Sequence, residues 1–273
     1  MGYVLSDKKE DRNPMKRGRI RINEGRCYHV THRCQERRFL FRFEIDRKSY
    51  VDRLMEAKKL YVVDVLDYMI TSNHVHLLFY ADRGEAVSDA MHFIQGASAR
   101  DYNRRKEREG AFWCGRFRPT LIQEGVHLGR CIIYIAMNMV RAGQVDHPGG
   151  WKSCGYHELA GFRERGLIVN RERLLSCLGH IGDAGGFEEW YQKTIEEKLR
   201  DGEFSRQSIW TESSAIGDLE WIGSLARRYG IGKKEILEMN KGSSKVIGVR
   251  EERASYGLKL SDRTRADFAF GKI

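Results

Sequence analysis

The stretch Ser72-Asn73-His74-Val75-His76-Leu77-Leu78-Phe79 places two histidines two residues apart within a run of apolar side chains. Successive side chains of a strand point to opposite faces, so His74 and His76 share one face and Val75 lies on the other. Two neutral imidazoles on one face can bind one divalent cation. A half-buried strand that happens to carry two histidines would explain the pair equally well.

The segments on both sides of the histidine pair predict an alternation of strands and helices. Apolar residues at 61–70 predict a strand, and Thr71-Ser72-Asn73 predicts a tight turn into the next one. Alternation at 27–33 predicts an earlier strand, whereas the apolar spacing at 50–61 and 87–97 is helical. This order begins a ferredoxin-like α+β fold. We expect an antiparallel sheet with helices on one face, followed by a helical C-terminal region.

The composition is that of a globular chain with a substantial core, since 41% of the 273 residues are hydrophobic and 32% are charged. No apolar run approaches the ~20 residues that span a bilayer, so we expect no membrane association. The polar, basic segment 1–21 does not resemble a secretory signal. The six cysteines form no C-x-x-C pair, which favours free thiols and a cytoplasmic location.

The positive charge is concentrated near the N-terminus. The net charge is +10, and residues 1–48 hold 14 Lys and Arg against 7 Asp and Glu. A basic surface near a metal site favours a polyanionic partner such as nucleic acid, although a solvated surface kept for solubility is the alternative. We predict a basic arm at 1–16 and a DNA contact that includes Arg17, Arg19 and Arg21.

Basic and aromatic residues alternate in the segment 100–118. This pattern suits single-stranded nucleic acid, because arginine meets phosphate while rings stack on unpaired bases. A solvated helix end followed by a loop with buried aromatics is an equally good interpretation. The DNA-binding candidates here are Arg104, Arg105, Arg116 and Arg118.

The segment 127–141 predicts an amphipathic helix with a notable polar stripe. Steps of three and four residues place His127, Arg130, Tyr134, Asn138 and Arg141 on one face. Arginine stabilises phosphate charge, and a tyrosine oxygen can act as a covalent nucleophile. Taken alone, an ordinary helix with a solvent face explains this stripe better.

Two motifs together resemble a known family. His74-Val75-His76 resembles the HUH motif (His, hydrophobic, His), and 134–143, read Y-I-A-M-N-M-V-R-A-G, resembles the Y-I-x-x-N-P-V-R-A-G segment of single-tyrosine transposases of the IS200/IS605 type, most closely the REP-associated ones. Tyr28-His29-Val30-Thr31, Gly115-Arg116-Phe117 and Trp151 also match. Met139 replaces the usual proline, and 152–154 departs from the family pattern.

The resemblance implies a metal-dependent DNA strand transferase. It makes Tyr134 the nucleophile that forms a 5′-phosphotyrosine link, and His74, His76 and Asn138 the ligands of Mg²⁺ or Mn²⁺. Its substrate would be single-stranded DNA, often beside a hairpin. Arg130 and Arg141 complete the predicted DNA-binding set. A homodimer and a monomer are both compatible with the sequence.

The resemblance covers 17–160, which we take as the HUH single-tyrosine transposase domain. A helical connector is predicted at 161–210. Apolar spacing from 219 onward, with glycines at 230 and 232, suggests a helix-turn-helix DNA-binding tail at 211–273, or else a helical packing tail.

Two other functions remain open on the same fold. A non-catalytic nucleic-acid-binding regulator would need neither the histidine pair nor Tyr134. A metal-dependent hydrolase that uses water would need the metal but not Tyr134.

Overall fold

The computed structural model describes residues 26–179, 186–202, 204–229, 234–241 and 244–251. The predicted arm at 1–16, Arg17, Arg19 and Arg21 and the last 22 residues of the predicted tail lie outside these residues. The first half of the fold contains strands β1 (Arg26–Arg33), β2 (Asp64–Ile70), β3 (His74–Ala81) and β4 (Arg118–Ile122) and helices α1 (Glu44–Leu60) and α2 (Gly84–Arg105).

These six elements confirm the ferredoxin-like α+β fold. The strands are ordered β2-β3-β1-β4, and each neighbouring pair is antiparallel. Helices α1 and α2 pack on each other and cover one face, onto which β3 directs Val75, Leu77 and Phe79. The predicted turn is present, since the backbone N–H of Thr71 donates to the His74 carbonyl at 3.0 Å.

The second half is helical and covers the opposite face of the sheet. Its first helix packs against β2 and β4, where its apolar stripe is buried. The helices are α3 (Val126–Ala136), α4 (Asn138–Arg141), α5 (Tyr156–Leu159), α6 (Arg171–Leu178), α7 (Phe187–Asp201), α8 (Ile209–Glu212) and α9 (Leu219–Tyr229). The predicted helix at 127–141 is thus interrupted at Met137, with φ −74° and ψ 1°.

Three further strands extend the sheet beyond β4. Strand β5 (Ala215–Gly217) pairs in parallel with β4, and the hairpin of β6 (Lys234–Lys241) and β7 (Ser244–Glu251) pairs with β5 through β7. The sheet order is therefore β2-β3-β1-β4-β5-β7-β6 over the part of the chain that the structure describes. Strand β5 is buried along its whole length.

The helix-turn-helix prediction is wrong in its second helix. The first helix exists as α9, but Lys234–Lys241 is a strand. Short apolar runs are ambiguous between helix and strand, and the β-branched run around Ile247 and Val249 supplies a strand partner. Gly248 permits close packing there, because a Cβ on it would lie 2.2 Å from the Ser213 Oγ.

Candidate active site

The two histidines of β3 lie on the face that α3 covers. Their ring centroids are 5.0 Å apart, with an angle of 74° between the planes. The preceding turn holds His74, whose Nδ1 lies 2.7 Å from Asn73 Oδ1 and 2.9 Å from Thr71 Oγ1. Asn73 Nδ2 donates to the Arg37 carbonyl, which fixes the amide orientation and leaves its oxygen as an acceptor. We therefore assign the His74 proton to Nδ1, which leaves Nε2 with a free lone pair.

Asn138 reaches the second histidine from the other side. Its Nδ2 lies 2.9 Å from His76 Nε2, although the helix is interrupted just before it at Met137. The amide N–H donates to a bare ring nitrogen here, and a half-turn of the amide would present its oxygen instead. The structure therefore brings together the two imidazoles and the amide that were predicted as metal ligands.

Tyr134 lies beside this group and is almost fully buried. Its ring centroid is 5.9 Å from that of His76, and Trp210 stacks on it at 5.5 Å. The Arg141 guanidinium lies 4.1 Å from the ring centroid, and its Nη2 donates to the Tyr134 carbonyl at 2.9 Å. Burial raises the pKa of Tyr134, and the Arg141 charge acts against that shift. Arg141 is therefore the group placed to favour the tyrosinate.

Two residues of the site were not predicted: His29 on β1 and Trp210 on α8. His29 Nδ1 lies 3.0 Å from the Trp210 carbonyl oxygen, and His29 Nε2 lies 2.9 Å from His76 Nδ1. The alternation of β1 placed His29 on the correct face but did not reveal its neighbour. That neighbour depends on the register with β3, in which His29 lies opposite Leu78.

All three histidines of the site are neutral at neutral pH. Burial lowers the pKa of His29 to about 4, and burial with the charges of Arg33, Arg141 and Arg206 lowers that of His74 to about 4. Burial and then its histidine neighbours hold the pKa of His76 well below its usual value. Neutral imidazoles can bind a cation, whereas protonated ones cannot.

Three arginines, Arg33, Arg141 and Arg206, lie close enough to His74 to lower its pKa, and only Arg141 was predicted. Burial, followed by the charges of Arg37, Arg206 and Arg118, lowers the pKa of Arg33. Of the arginines around Arg33, only Arg118 was among the DNA-binding candidates. Like charges gathered beside a catalytic group favour a polyanion in the space between them.

The other predicted arginines have different surroundings. Arg104 pairs with Asp101 at 3.3 Å, and Arg105 pairs with Asp46 at the start of α1, so both belong to the α1–α2 side of the sheet. Arg116 is exposed in the loop before β4. Arg130 lies one turn before Tyr134, and its buried Nη1 has no hydrogen-bond partner among the described residues.

A different group of residues with the spacing to hold a metal ion occurs at the start of β1. Ligand atoms of Cys27, Glu124 and Cys177 lie within 4.8 Å of one another. Thiolates are soft ligands that suit zinc or copper(I) rather than Mg²⁺ or Mn²⁺. Two imidazoles and an amide oxygen fit a divalent cation that also binds phosphate oxygen, so the histidine site matches the predicted ion better.

Comparison with known proteins finds a family that is similar to the part of the chain that contains most of this site. The sequence model of the family described as "Transposase IS200 like" matches residues 24–137. The matched segment of this chain is similar to IS200-like transposases. This match confirms the resemblance to the IS200/IS605 type and supports a transposase-like function for the matched segment. The match includes His29, His74, His76 and Tyr134 and ends one residue before Asn138.

Two solved structures are similar to part of this chain. A REP-associated tyrosine transposase bound to a REP hairpin has 17% identity and a TM-score of 0.46, covering 56% of this chain and 87% of that one. A Deinococcus radiodurans protein assigned as a transposase has 20% identity and a TM-score of 0.31, covering 38% and 84%. The comparison with curated proteins finds no match. Among the described residues, no helix has the length and apolar character needed to cross a bilayer.

Proposed function

We propose that the transposase domain cleaves and rejoins single-stranded DNA, next to a hairpin, through a 5′-phosphotyrosine intermediate on Tyr134. One observation carries the proposal: Asn138 Nδ2 lies 2.9 Å from His76 Nε2 while Tyr134 lies beside the same imidazole. A binding protein has no need for this combination of a bare imidazole nitrogen, an amide and a buried tyrosine.

Three residues would hold the metal ion, which is Mg²⁺ or Mn²⁺ in this proposal. His74 and His76 would bind through Nε2, and Asn138 through its amide oxygen after the half-turn described above. When bound, the ion polarises the scissile phosphate and offsets its developing charge. Mg²⁺ favours near-octahedral oxygen coordination, so three protein ligands leave positions for phosphate oxygen and water.

Tyr134 performs the covalent step with the help of Arg141. The tyrosine oxygen forms a bond to phosphorus as the bond from phosphorus to the 3′ oxygen breaks, and the phenolic proton is passed on toward the released 3′-OH. Arg141, 4.1 Å from the ring centroid, stabilises the charge on the tyrosine oxygen. The phosphodiester energy is kept in the new bond, so a 3′-OH can reverse the step without ATP.

The arginines around His74 would guide the DNA backbone into the site. Arg33, Arg118 and Arg206 supply phosphate contacts, and Arg130 has a buried nitrogen ready for another. Arg17, Arg19, Arg21 and Arg116 remain proposed contacts at the edge of this surface. We propose that the protein works in the reducing cytoplasm, where its cysteines stay as thiols, either as a monomer or as a homodimer.

The decisive experiment uses single-stranded DNA from the genomic flanks of the gene, labelled at either end. With Mn²⁺, the 3′-end label should become attached to the protein in an SDS-resistant adduct, while the 5′-labelled fragment is released with a 3′-OH that a polymerase extends. EDTA should abolish both products. Cleavage without an adduct would favour a water-using hydrolase, and binding without cleavage would favour a non-catalytic regulator.

A further inference from the structure

A chain of three hydrogen bonds runs from α8 to the candidate metal site. It begins at the Trp210 carbonyl, passes through both nitrogens of His29 and both nitrogens of His76, and ends at Asn138 Nδ2, with lengths of 3.0, 2.9 and 2.9 Å. The planes of the two rings are nearly parallel, with 11° between them, and both rings are almost completely buried. Because both rings are buried and hydrogen-bonded at each nitrogen, neither ring can readily exchange its hydrogen-bond partners.

The donor and acceptor of each hydrogen bond follow from the Trp210 carbonyl, which begins the chain. A carbonyl oxygen can only accept, so His29 Nδ1 must donate and carries the ring proton. The Nε2 of a neutral His29 is then an acceptor, so His76 Nδ1 must donate to it. The proton of His76 is thereby held on Nδ1, and the lone pair of Nε2 faces Asn138. A free imidazole in water prefers the opposite tautomer, with its proton on the ε nitrogen.

We infer that His29, anchored by the Trp210 carbonyl, is a positioning residue that holds His76 in the tautomer whose Nε2 can bind a metal ion. The metal part of this inference rests on the proposed function, whereas the tautomer itself does not. The hydrogen-bond partner of the second ring nitrogen commonly sets the tautomer of a metal-binding histidine. In this protein the partner is another histidine rather than a carboxylate.

The anchor lies far outside the matched transposase segment, 181 residues after His29. The Trp210 carbonyl is available because α8 ends at Glu212, before an N–H four residues later could bond to it within the helix. The chain after α8 is fixed to β4, where Thr120 Oγ1 donates to the Ser213 carbonyl at 2.7 Å and the Leu121 N–H donates to the Ser214 carbonyl at 2.9 Å. The C-terminal half of the protein thus completes the site.

The first test reads the tautomer directly in metal-free protein. Long-range proton–nitrogen NMR correlations of ¹⁵N-histidine-labelled protein distinguish a protonated from a bare ring nitrogen, and the signals of His76 are identified by their loss in His76→Gln. We expect a protonated Nδ1 and a bare Nε2 in the wild type. A proton on Nε2 of His76 would overturn the inference without any further variant.

The second test uses variants of His29 and measures Mn²⁺ affinity by calorimetry. His29→Phe keeps a ring but cannot accept from His76, so its His76 should shift toward the Nε2-protonated tautomer. We expect Mn²⁺ affinity to fall about 10–100-fold, as for other lost partners of metal ligands. His29→Gln can accept from His76 and donate to the Trp210 carbonyl, so it should stay within about threefold of the wild type.

His32 provides a matched control on the same strand. It is also buried, and its Nε2 donates to the Gly115 carbonyl at 3.0 Å, but it faces the α1–α2 side. His32→Phe should therefore lose a similar hydrogen bond and leave Mn²⁺ affinity unchanged. Thermal unfolding of both Phe variants shows whether a loss of affinity merely follows a loss of stability.

The outcomes separate this inference from the proposed function. Wild-type affinity and an unchanged His76 tautomer in His29→Phe would overturn the positioning role, even if the protein cleaves DNA. If the wild type binds no Mn²⁺, the metal site of the proposed function fails, but a tautomer shift confined to His29→Phe would still support the role of His29.

Discussion

The two faces of the sheet each bury histidines of β1, but they use them differently. On the α1–α2 face, His32 stacks on Trp113 with centroids 4.1 Å apart, and its buried Nδ1 has no hydrogen-bond partner among the described residues. On the α3 face, His29 uses both nitrogens and passes its hydrogen bond on to His76. Residue type and burial are alike, so the connection to a second reactive group is what separates a functional histidine from a packing one.

Removal of the proposed nucleophile on the α3 face should have the largest effect on activity. Tyr134→Phe keeps the ring and its stacking on Trp210 but loses the hydroxyl, so the covalent adduct and cleavage should fall by at least about a thousandfold. Affinity for single-stranded DNA, measured by fluorescence anisotropy, should stay near the wild-type value. Cleavage by the Phe variant at the wild-type rate would contradict the tyrosine assignment.

Loss of a proposed metal ligand should have the next largest effect on activity. His76→Ala should raise the Mn²⁺ concentration for half-maximal cleavage more than Asn138→Leu does, because an imidazole binds more strongly than a neutral amide oxygen. We expect each ligand substitution to raise this Mn²⁺ concentration by roughly 10–100-fold. An unchanged metal dependence in Asn138→Leu would return Asn138 to a purely structural role.

Acid should act on the two buried histidines of β1, one on each face, to a similar extent. His29 and His32 each have a pKa of about 4 in the folded protein against 6.5 in the unfolded chain. The unfolded state therefore binds more protons between these values, and stability falls as the pH drops below about 6.5. Each histidine contributes up to about 1.4 kcal/mol per pH unit, or tenfold in the unfolding equilibrium.

Urea unfolding at several pH values measures this dependence. Replacing either histidine with glutamine removes one titrating group and should flatten the curve, for His32→Gln as much as for His29→Gln. His29 and His32 would then contribute alike to the acid response, whereas only His29→Phe is expected to lower the Mn²⁺ affinity. A curve that neither substitution changes would show that other groups dominate the acid response.

The smallest effect is expected on single-stranded DNA binding, when two exposed arginines on opposite faces are each replaced by alanine. Arg206→Ala should lower the salt slope of single-stranded DNA binding by about 1 and reduce affinity roughly fivefold at ~0.1 M salt. Arg104→Ala removes an even more exposed arginine, which pairs with Asp101 away from the site, and should change neither quantity. The reverse result would move the DNA path to the α1–α2 side.

The sequence predicts residues of this site that lie close together along the chain. It does not predict the distant residues that contact them. Alternation of side chains was enough to place His74 and His76 on one face, and helical spacing placed Tyr134 near Asn138. Both rules act over a few residues. His29 and Trp210 required the register of β1 against β3 and a contact across 181 residues, which no local pattern encodes.

Clusters of basic residues were a poor predictor of the DNA-binding surface, and short apolar runs were a poor predictor of secondary structure. Arg104 and Arg105 look like a basic patch in the sequence, yet both form ion pairs with carboxylates of α2 and α1. The segment predicted as the second helix of the helix-turn-helix forms β6. Its local sequence is compatible with a helix or a strand, and pairing with β7 favours the strand.

The pairing of β4 with β5 has a practical consequence for anyone who shortens this chain. Ending it at residue 160, after the transposase-like part, would expose the backbone hydrogen-bonding groups of β4 as a free sheet edge, which favours aggregation. It would also remove the carbonyl that His29 contacts. We expect such a truncated protein to self-associate and to bind the proposed metal ion more weakly, so a lack of activity in it would say little about the full chain.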